Sequence, residues 1–247
     1  MLALGIDIGG TGIKGAVVDT RTGAFTVERL RIATPSPATP VAVSGVVDQI
    51  VKHFDWSGPV GCTFPGVVKS GVIRTGANVD RHWVDQPGAE IFAKKTGCQV
   101  AVVNDADAAG EAEARFGHPE AKNGVVVLLT LGTGIGSALM HDGVVVPNTE
   151  FGHLNIGKRE AEALAAESVR ERDELSWKKW SKRLSAVLVD LEELLWPDVF
   201  IIGGGISKKG DKFIPRLTCR TPVTAALLLN QAGIVGAALA AERLVGS

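Results

Sequence analysis

The sequence predicts an α/β fold made of two related halves, and three observations support this prediction. Short apolar segments typical of buried strands alternate with longer segments whose apolar residues recur at helical spacing. Gly10-Thr11-Gly12-Ile13 recurs as Gly132-Thr133-Gly134-Ile135, at an offset of 122 in a chain of 247 residues. Both copies stand between two apolar strand segments, so a repeat of about half the chain length indicates two related domains.

Composition agrees with a folded protein and narrows the classes of function. Hydrophobic residues make up 45% of the chain, charged residues 21%, and the formal net charge is −1, which excludes a disordered chain. Near-neutral charge argues against a nucleic-acid partner, because such proteins usually carry a basic domain. The three widely spaced cysteines indicate neither a disulfide framework nor a CxxC metal pair. No targeting or membrane segment is visible, so we expect a cytoplasmic protein without a membrane partner.

The first half begins with strands and then alternates strand and helix. Apolar runs predict strands over Leu2–Ile8 and Ile13–Val18, and a third over Phe25–Ile32 would complete an antiparallel meander. Three prolines predict a loop over Thr34–Pro40. The remaining elements expected in this half are a helix over Val41–Phe54, a strand over Val60–Phe64, a helix over Gly88–Thr96, a strand over Val100–Val103 and a helix over Ala106–Phe116.

The second half repeats the pair of strands around a glycine turn. Val125–Leu131 and Ile135–His141 are predicted as strands on either side of the second Gly-Thr-Gly segment. Two helices are expected within Glu160–Leu195. A strand over Val199–Ile202 would end at three consecutive glycines, and a helix over Gly233–Leu244 would close the chain.

Both Gly-Thr-Gly turns have the composition of a phosphate site. Glycine lets an anion approach the backbone N–H groups of a turn, and the hydroxyls of Thr11 and Thr133 are additional donors. Lys14 would neutralise a phosphate, and Asp7 would hold Mg²⁺ directly or through water. An ordinary hairpin turn is the alternative interpretation of each copy.

A dinucleotide-binding motif is a second alternative for the first turn. Gly10, Gly12 and Gly15 match its spacing, which would suit an NAD-linked enzyme. That motif requires a helix to begin at the glycines, whereas Ala16–Val18 continues the strand pattern. The pattern therefore favours a phosphate turn between strands.

Several segments taken together resemble a known superfamily. Three segments resemble the nucleotide-phosphate motifs of the superfamily that contains actin, hexokinase and the heat-shock chaperones. They are Asp7–Thr11, Leu131–Gly136 and Ile202–Gly205. Within that superfamily, three further segments resemble the ROK sugar kinases. They are Asn104-Asp105, Glu150–His153 and Asn230–Ala238. The order of these segments along the chain is specific, although each alone is not.

The resemblance implies two actin-like (ribonuclease H-like) lobes with a cleft between them. The N-terminal lobe would cover residues 1–103 and carry the first phosphate turn. The C-terminal lobe would cover residues 104–231, and the helix at 233–244 would pack back on the first lobe. Closure of such lobes would exclude water from the donor.

The chain departs from the family pattern after His153. ROK proteins generally carry a zinc-binding cysteine cluster a few residues beyond this position, and no cysteine occurs here before Cys219, so we expect no zinc site. ROK repressors also carry an N-terminal helix-turn-helix, for which a strand beginning at Leu2 leaves no room. The short chain resembles the bacterial members that phosphorylate glucose from inorganic polyphosphate.

This resemblance implies the substrates and the assembly. The terminal phosphoryl group of polyphosphate, with ATP as a further donor, would pass to the 6-hydroxyl of glucose with Mg²⁺ as cofactor. Some relatives also accept mannose, and family members are often homodimers. An ATP-dependent ROK glucokinase or mannokinase is the main alternative. A non-catalytic sugar-binding regulator is a minor one, because the residue expected to act as the base is present.

The resemblance also assigns roles to individual residues. Asp105 would be the catalytic base; its alternative interpretation is a helix N-terminal acid, and the neighbouring Asp107 is interpreted as a helix surface residue. The sugar would be bound by Gly66, Asn78, Asn104, Asp105, Glu150, His153 and Glu162, with Glu160 as the rival of Glu162. The phosphates and the metal would be bound by Asp7, Gly9, Gly10, Thr11, Gly12, Lys14, Gly132, Thr133, Gly134, Gly203, Gly204 and Gly205.

Purely structural interpretations are the alternatives for several residues of the second half. Glu150 would otherwise be a solvated loop carboxylate, His153 a structural histidine, and the three glycines after Ile202 a strand-to-helix turn. The densest basic segment, Trp177–Arg183, suits either a groove for the polymeric donor or a solvated helix face, because its apolar residues keep helical spacing. Lys158 and Arg159, close in sequence to Glu150–His153, are an alternative cationic site for the polymer.

Overall fold

The computed structural model describes residues 1–77 and 79–246. The strands are β1 (Leu2–Ile8), β2 (Ile13–Asp19), β3 (Ala24–Phe25), β4 (Leu30–Ile32), β5 (Val60–Phe64), β6 (Val68–Lys69), β7 (Val72–Ile73), β8 (Val100–Asn104), β9 (Val125–Leu131), β10 (Ile135–His141), β11 (Val144–Val146), β12 (Asn155–Ile156), β13 (Arg159–Glu160), β14 (Val199–Gly203) and β15 (Val223–Ala225). The α-helices are α1 (Pro40–His53), α2 (Gly88–Thr96), α3 (Asp105–Phe116), α4 (Ala161–Ala165), α5 (Glu167–Arg172), α6 (Trp177–Leu195), α7 (Gly210–Phe213) and α8 (Ala232–Arg243).

The chain forms two compact units. The first contains Met1–Ala112 and the segment from Gln231 onward, and the second contains Glu113–Asn230. The division falls inside α3, whereas the sequence-based boundary at residues 103 and 104 falls just before that helix. Within the first unit, α8 packs against β1 and β5.

The main sheets of the two units share one strand order. In the first unit β2 is antiparallel to β1, and β5 and β8 follow parallel to it, giving β3-β2-β1-β5-β8 with β4 beside β2. In the second unit β10 is antiparallel to β9, and β14 and β15 follow parallel to it, giving β11-β10-β9-β14-β15. The predicted α/β class and the internal repeat are therefore confirmed.

Local capping explains where the two long amphipathic helices begin. Thr39 precedes α1, and its hydroxyl accepts the N–H of Ala42 at 3.2 Å, with proline at the first helical position. Ser176 precedes α6, and its hydroxyl accepts the N–H of Lys179 at 3.4 Å. The fully buried residues of α6 recur at helical spacing and comprise Trp180, Leu184, Val187 and Leu188. The apolar face expected from the sequence is therefore the packed face of this helix.

Three local expectations differ from the structure. The strand expected over Phe25–Ile32 is two short strands, because after Phe25 the chain turns at Thr26, whose N–H and hydroxyl both bind the carbonyl of Val17. The two helices expected within Glu160–Leu195 are three, because Ala166 adopts an extended conformation between α4 and α5. The small β12–β13 ribbon was not expected.

The described residues contain no helix with both the length and the apolarity needed to cross a membrane. All three cysteines are free thiols, and burial raises the pKa of Cys62 and Cys219.

The packing of α8 on the sheet predicts a large effect of one methyl group. A Cβ atom at Gly61 in β5 would overlap with the backbone carbonyl of Ala237 in α8. Gly61→Ala should therefore lower the free energy of unfolding by about 2–3 kcal/mol, as overpacking does in rigid cores. Urea denaturation followed by circular dichroism measures the change.

Gly45→Ala is the matched control. Gly45 lies within α1, and nothing stands within 4 Å of the position that its Cβ would take. Alanine should stabilise this helix by about 0.5–1 kcal/mol, since it removes the backbone entropy of glycine. Equal stability of the two variants would contradict the packing argument.

Candidate active site

The first glycine turn joins β1 to β2 and carries an ion pair at its base. Asp7 and Lys14 face each other across the antiparallel strands, with Lys14 Nζ 3.2 Å from Asp7 Oδ2. Thr63, at the end of β5, donates its hydroxyl to Asp7 Oδ1 at 3.0 Å and accepts the N–H of Ile8. A Cβ atom at Gly233, in the first turn of α8, would lie 2.8 Å from Asp7 Oδ1. The carboxylate thus stands at a helix N-terminus, where negative charge is stabilised.

Two residues outside the predicted set hold the first turn in shape. Arg31 of β4 donates to the carbonyl of Thr11 at 3.0 Å, and its guanidinium lies against Gly12. Thr34 donates its hydroxyl to the carbonyl of Gly9 at 2.5 Å. Gly10 and Thr11 remain exposed at the tip. The turn therefore presents its backbone to solvent while its ends are fixed.

The second glycine turn joins β9 to β10 and is one residue shorter. Three residues separate the paired Leu131 and Ile135, whereas four separate Ile8 and Ile13 in the first turn. Ser168, in α5, donates its N–H to the carbonyl of Gly132 at 3.0 Å and its hydroxyl to the carbonyl of Thr133 at 2.6 Å.

A carboxylate also lies against this second turn. Glu162 Oε2 stands 2.5 Å from the position that a Cβ atom at Gly134 would take, so the carboxylate lies directly against the turn. Glu162 belongs to the first turn of α4. The turn and one of the two candidate sugar carboxylates are therefore neighbours within the second unit.

The three consecutive glycines end β14 beside the second turn. Gly203 pairs with Thr130 of β9, and Gly204 has φ +84°, a left-handed conformation that glycine adopts without strain. A Cβ atom at Gly204 would overlap with the backbone of Leu131. This close approach places the glycine segment at the same sheet edge as the Gly132–Gly134 turn.

Asp105 opens α3 at the carboxyl end of β8. Its side chain is half-buried, and its Oδ1 accepts the N–H of Ala106 at 2.8 Å. Buried Asn104 precedes it and caps the helix, because its Oδ1 accepts the N–H groups of Ala106 and Asp107 at 2.8 and 2.9 Å. The Asn104 amide donates to the carbonyl of Gly66 at 3.1 Å. Such a cap typically contributes about 1 kcal/mol, so Asn104 both fixes the start of α3, where Asp105 stands, and ties it to the loop at Gly66.

The interpretation of Asp107 as a surface residue was wrong. Its relative exposure is 8%, and the alanines around it in α3 are buried. The helix is covered because α8 packs closely on it: a Cβ atom at Gly236 would overlap with the carbonyl of Ala108. This contact joins segments far apart in sequence, which helical periodicity does not reveal.

The segment from Thr149 to His153 is fastened to β10 by one serine. Ser137 donates its hydroxyl to the carbonyl of Thr149 at 2.7 Å and accepts the N–H of Phe151 at 2.9 Å. Gly152 packs directly on the carbonyl of Ile135. Between these fixed points, the half-buried Glu150 and the exposed His153 begin and end one 3₁₀ turn.

Glu150, His153, Glu160 and Glu162 form an electrostatic cluster. His153 Nδ1 lies 3.2 Å from Glu160 Oε2, and its Nε2 lies 3.9 Å from Glu150 Oε2. The hydrogen bond with Glu160 raises the pKa of His153 against the opposing effect of burial, and Glu162 adds to the rise. Burial raises the pKa of Glu150, the charge of His153 opposes the rise, and Glu162 reinforces it.

The same cluster contains the set of residues most suited to a cation. Ligand atoms of His153, Glu160 and Glu162 all lie within 4.8 Å of one another among the described residues. All three are ordinary ligands of divalent metals. Glu160 Oε2, however, is already engaged with the imidazole.

The structure thus brings together two groups of predicted residues, one in each unit. In the first unit, Asp7 neighbours Lys14, and Asn104 neighbours Gly66. In the second, Glu150, His153, Glu160 and Glu162 gather beside the glycine turn. Asn78 lies outside the described residues.

Sequence reasoning missed four supporting residues. They are Arg31, Thr34, Thr63 and Ser168. Thr63 alone left a signal, as the one polar side chain in the apolar segment Val60–Phe64. The other three act through backbone carbonyls of distant turns, so no local pattern marks them.

The dinucleotide alternative was wrong. Gly15 lies inside β2, and Ala16–Val18 continue the same strand. No helix begins at these glycines, so the geometry that places a pyrophosphate on a helix N-terminus is not formed there.

Comparison with known proteins finds similar sequences and similar folds among sugar kinases. The sequence profile of the ROK family matches residues 3–167. A polyphosphate glucokinase of Mycobacterium tuberculosis is 53% identical over 237 residues, which cover 96% of this chain and 89% of that protein.

Two solved structures are similar over the whole chain. The inorganic polyphosphate/ATP-glucomannokinase of an Arthrobacter species has 46% identity and a TM-score of 0.94, with 100% of this chain and 99% of that chain covered. A ROK family glucokinase of Streptomyces griseus, solved with glucose and AMPPNP, has 25% identity and a TM-score of 0.83 over 98% of this chain and 100% of that one.

The raised pKa of His153 predicts a pH-dependent contribution to stability. Protonated His153 is favoured in the folded state, so this contribution is fully present below the unfolded-state pKa of about 6.5 and is lost as pH rises through the higher folded-state pKa. His153→Gln should therefore cost more stability at about pH 6 than at about pH 8.5. Urea denaturation of both proteins at the two pH values measures this, and an equal cost at both would contradict it.

Proposed function

The chain belongs to the ROK family, and from this membership we propose that it transfers the terminal phosphoryl group of inorganic polyphosphate to the 6-hydroxyl of glucose. The observation that most directly supports the proposal is the 53% identity with a mycobacterial polyphosphate glucokinase across 96% of this chain. The products would be glucose 6-phosphate and a polymer shortened by one unit.

A similar enzyme whose name includes two phosphoryl donors and two sugars adds further substrates to the proposal. The Arthrobacter protein is a polyphosphate/ATP-glucomannokinase and superposes on the whole chain. We therefore include ATP as a second donor and mannose as a second acceptor. The cytoplasm, where ATP is available, is the proposed location, and a homodimer is the proposed assembly.

Asp105 is the proposed base. Phosphoryl transfer has a loose transition state, so the protein acts mainly by positioning groups and stabilising charge. Half-buried Asp105 would take the proton of the sugar 6-hydroxyl while the hydroxyl oxygen bonds to phosphorus. The electron pair of the broken phosphoanhydride bond would leave with the shortened donor. Asn104 would hold this carboxylate in place through the helix cap.

The sugar would be recognised mainly by hydrogen-bond acceptors. Glu150 and His153 stand on one 3₁₀ turn that Ser137 fastens to β10, so their positions are set before the sugar binds. A site that accepts hydrogen bonds from hydroxyl groups rejects analogues lacking those groups, because its acceptors are then left unpaired.

The glycine turns and Asp7 are the proposed donor site. Gly10, Thr11 and Thr133 are exposed turn residues whose N–H and hydroxyl groups suit phosphate oxygens, and Lys14 supplies a positive charge. Asp7 fits a role beside Mg²⁺, which prefers one or two carboxylates together with water and substrate phosphates. Because both Asp7 oxygens already have partners, contact through water fits better than direct ligation. When bound, Mg²⁺ would neutralise charge on the donor oxygens.

A coupled assay for glucose 6-phosphate tests the proposal directly. Glucose, Mg²⁺ and either long-chain polyphosphate or ATP are supplied, and product formation is followed with each donor and with mannose in place of glucose. Turnover with ATP alone would replace the proposal by an ATP-dependent glucokinase. Size-exclusion chromatography with light scattering tests the proposed dimer.

Asp105→Asn should lower kcat by about 10²- to 10⁴-fold, the usual contribution of a positioned base. The amide retains the shape of the side chain but cannot take the proton, so the Kd for glucose should change little. Steady-state kinetics and calorimetric titration with glucose measure the two effects separately.

Asp107→Asn is the control for this prediction. Asp107 lies two residues away on the same helix, and we expect its variant to keep turnover once thermal unfolding shows that it folds. Loss of turnover in the folded Asp107 variant, with activity retained in the Asp105 variant, would move the base to Asp107.

The exposed lysines of α6 provide a test of the polymer path. The exposed set is Lys178, Lys179 and Lys182, while the neighbouring Arg183 is paired with Asp173 at 3.1 Å. If these lysines contact the chain of phosphates beyond the reacting unit, changing all three to glutamate should raise KM for polyphosphate roughly tenfold or more at low salt. KM for ATP should stay unchanged, and equal effects on both donors would show that the lysines are only a solvated face.

A further inference from the structure

Glu160 and His153 form a pair that the proposed sugar site does not by itself explain. The carboxylate oxygen Oε2 of Glu160 lies 3.2 Å from Nδ1 of His153. The other ring nitrogen, Nε2, points toward the opposite carboxylate, with Glu150 Oε2 at 3.9 Å. One ring nitrogen is therefore in hydrogen-bond contact, and the other stands beyond hydrogen-bond distance of its nearest carboxylate.

Backbone contacts, and not side-chain reach alone, bring Glu160 to this place. Glu160 pairs with Asn155 in the β12–β13 ribbon, which returns the chain toward the 3₁₀ turn. Gly157 adopts φ +65° between these strands, and Ala161 donates its N–H to the carbonyl of Leu154 at 2.8 Å. The pair is thus a product of the local fold.

The chemistry of a carboxylate decides which imidazole nitrogen carries the proton. An ionised carboxylate can only accept hydrogen bonds, so Glu160 requires a proton on Nδ1 of His153. In the neutral ring, Nε2 then has a free electron pair and acts as an acceptor. The carboxylates of Glu150, Glu160 and Glu162 all lie near the ring and favour its protonated form. Glu160 is within hydrogen-bond distance of Nδ1, whereas Glu150 is 3.9 Å from Nε2, so the contact with Glu160 decides which nitrogen keeps the proton when the ring is neutral.

We propose that Glu160 is a positioning residue that holds His153 with its proton on Nδ1, so that Nε2 accepts a hydrogen bond from a sugar hydroxyl. Nε2 and the Glu150 carboxylate then form a pair of acceptors matched to two neighbouring hydroxyl groups of a hexose. This inference rests on the proposed function. It also separates the two rival carboxylates: Glu160 acts through the histidine, whereas Glu162 lies against the glycine turn.

Nuclear magnetic resonance of the histidine rings tests the protonation state without relying on activity. The chain contains five histidines, and the signals missing from His153→Asn identify those of His153. At about pH 8.5, where the ring is neutral, the nitrogen shifts of His153 should show protonated Nδ1 and bare Nε2. Glu160→Ala should abolish this preference, and Glu160→Gln should retain much of it, because the amide oxygen still accepts from Nδ1.

Kinetics supply the second measurement. Glu160→Ala should raise KM for glucose roughly tenfold, in the range seen when outer partners of a functional histidine are removed. KM for the donor should stay within about twofold, and Glu160→Gln should recover most of the glucose affinity. Glu120→Gln is the matched control, because Glu120 also lies beside a histidine, with its Oε2 3.8 Å from His118 Nδ1. It should change neither the His153 signals nor the glucose KM.

Other results would refute either the positioning role of Glu160 or the proposed function. A proton on Nε2 in the unaltered protein, or a Glu160→Ala variant with unchanged ring signals and glucose KM, would refute the positioning role. If Zn²⁺ shifts the His153 signals and chelation reproduces the effect of Glu160→Ala, the cluster is a cation site and the proposal fails. An unaltered protein that shows the Nδ1 proton but no glucose phosphorylation would refute the proposed function and leave the positioning role standing.

Discussion

The proposed chemistry depends on one constraint, the parallel pairing of a later strand with the first strand of the hairpin in each unit. In this way β5 pairs with β1, and β14 pairs with β9. Parallel strands end at a common sheet edge, and ligands of α/β proteins bind at the carboxyl ends of such strands. In the first unit β1, β5 and β8 end at Ile8, Phe64 and Asn104, next to Asp7, Thr63 and Asp105. In the second, β9 and β14 end at the two glycine segments. The sheet therefore gathers residues that are far apart in sequence.

Each unit has its own sheet of this topology, and the residues around the glycine turn differ between the two. The longer first turn keeps a lysine–carboxylate pair across the hairpin, and its ends are fixed by Arg31 and Thr34. The shorter second turn is fixed by Ser168 and faces Glu162. The inserted segment between β11 and α4 adds Glu150 and His153. Equal topology thus supports a cationic environment at one turn and an acidic one at the other.

Sequence patterns predicted the features that depend on local or periodic signals. Long apolar strands, the capped helices and the repeated turns followed from hydrophobic spacing and glycine chemistry, and family resemblance named the residues around them. The burial of Asp107 was missed because the packing around α3 involves distant segments, such as α8, which packs on the neighbouring Ala108. The role of Glu160 stayed open because a two-residue ribbon has too few residues to show a period, yet that ribbon sets where the carboxylate points.

The acidic character of residues 150–162 would suit the hexose of the proposed function. Sugar hydroxyls can donate or accept, so a site rich in carboxylates makes them donate and leaves their lone pairs for water or backbone N–H groups. A histidine among three carboxylates would ordinarily become a cation, and its pKa is indeed raised. In the proposed arrangement Glu160 accepts a hydrogen bond from Nδ1–H of His153. When the ring becomes neutral it would then lose the proton on Nε2, and that nitrogen would face the sugar as an acceptor. The half-buried Glu150, whose pKa is raised by burial, supplies the second acceptor at pH values where its own proton has left.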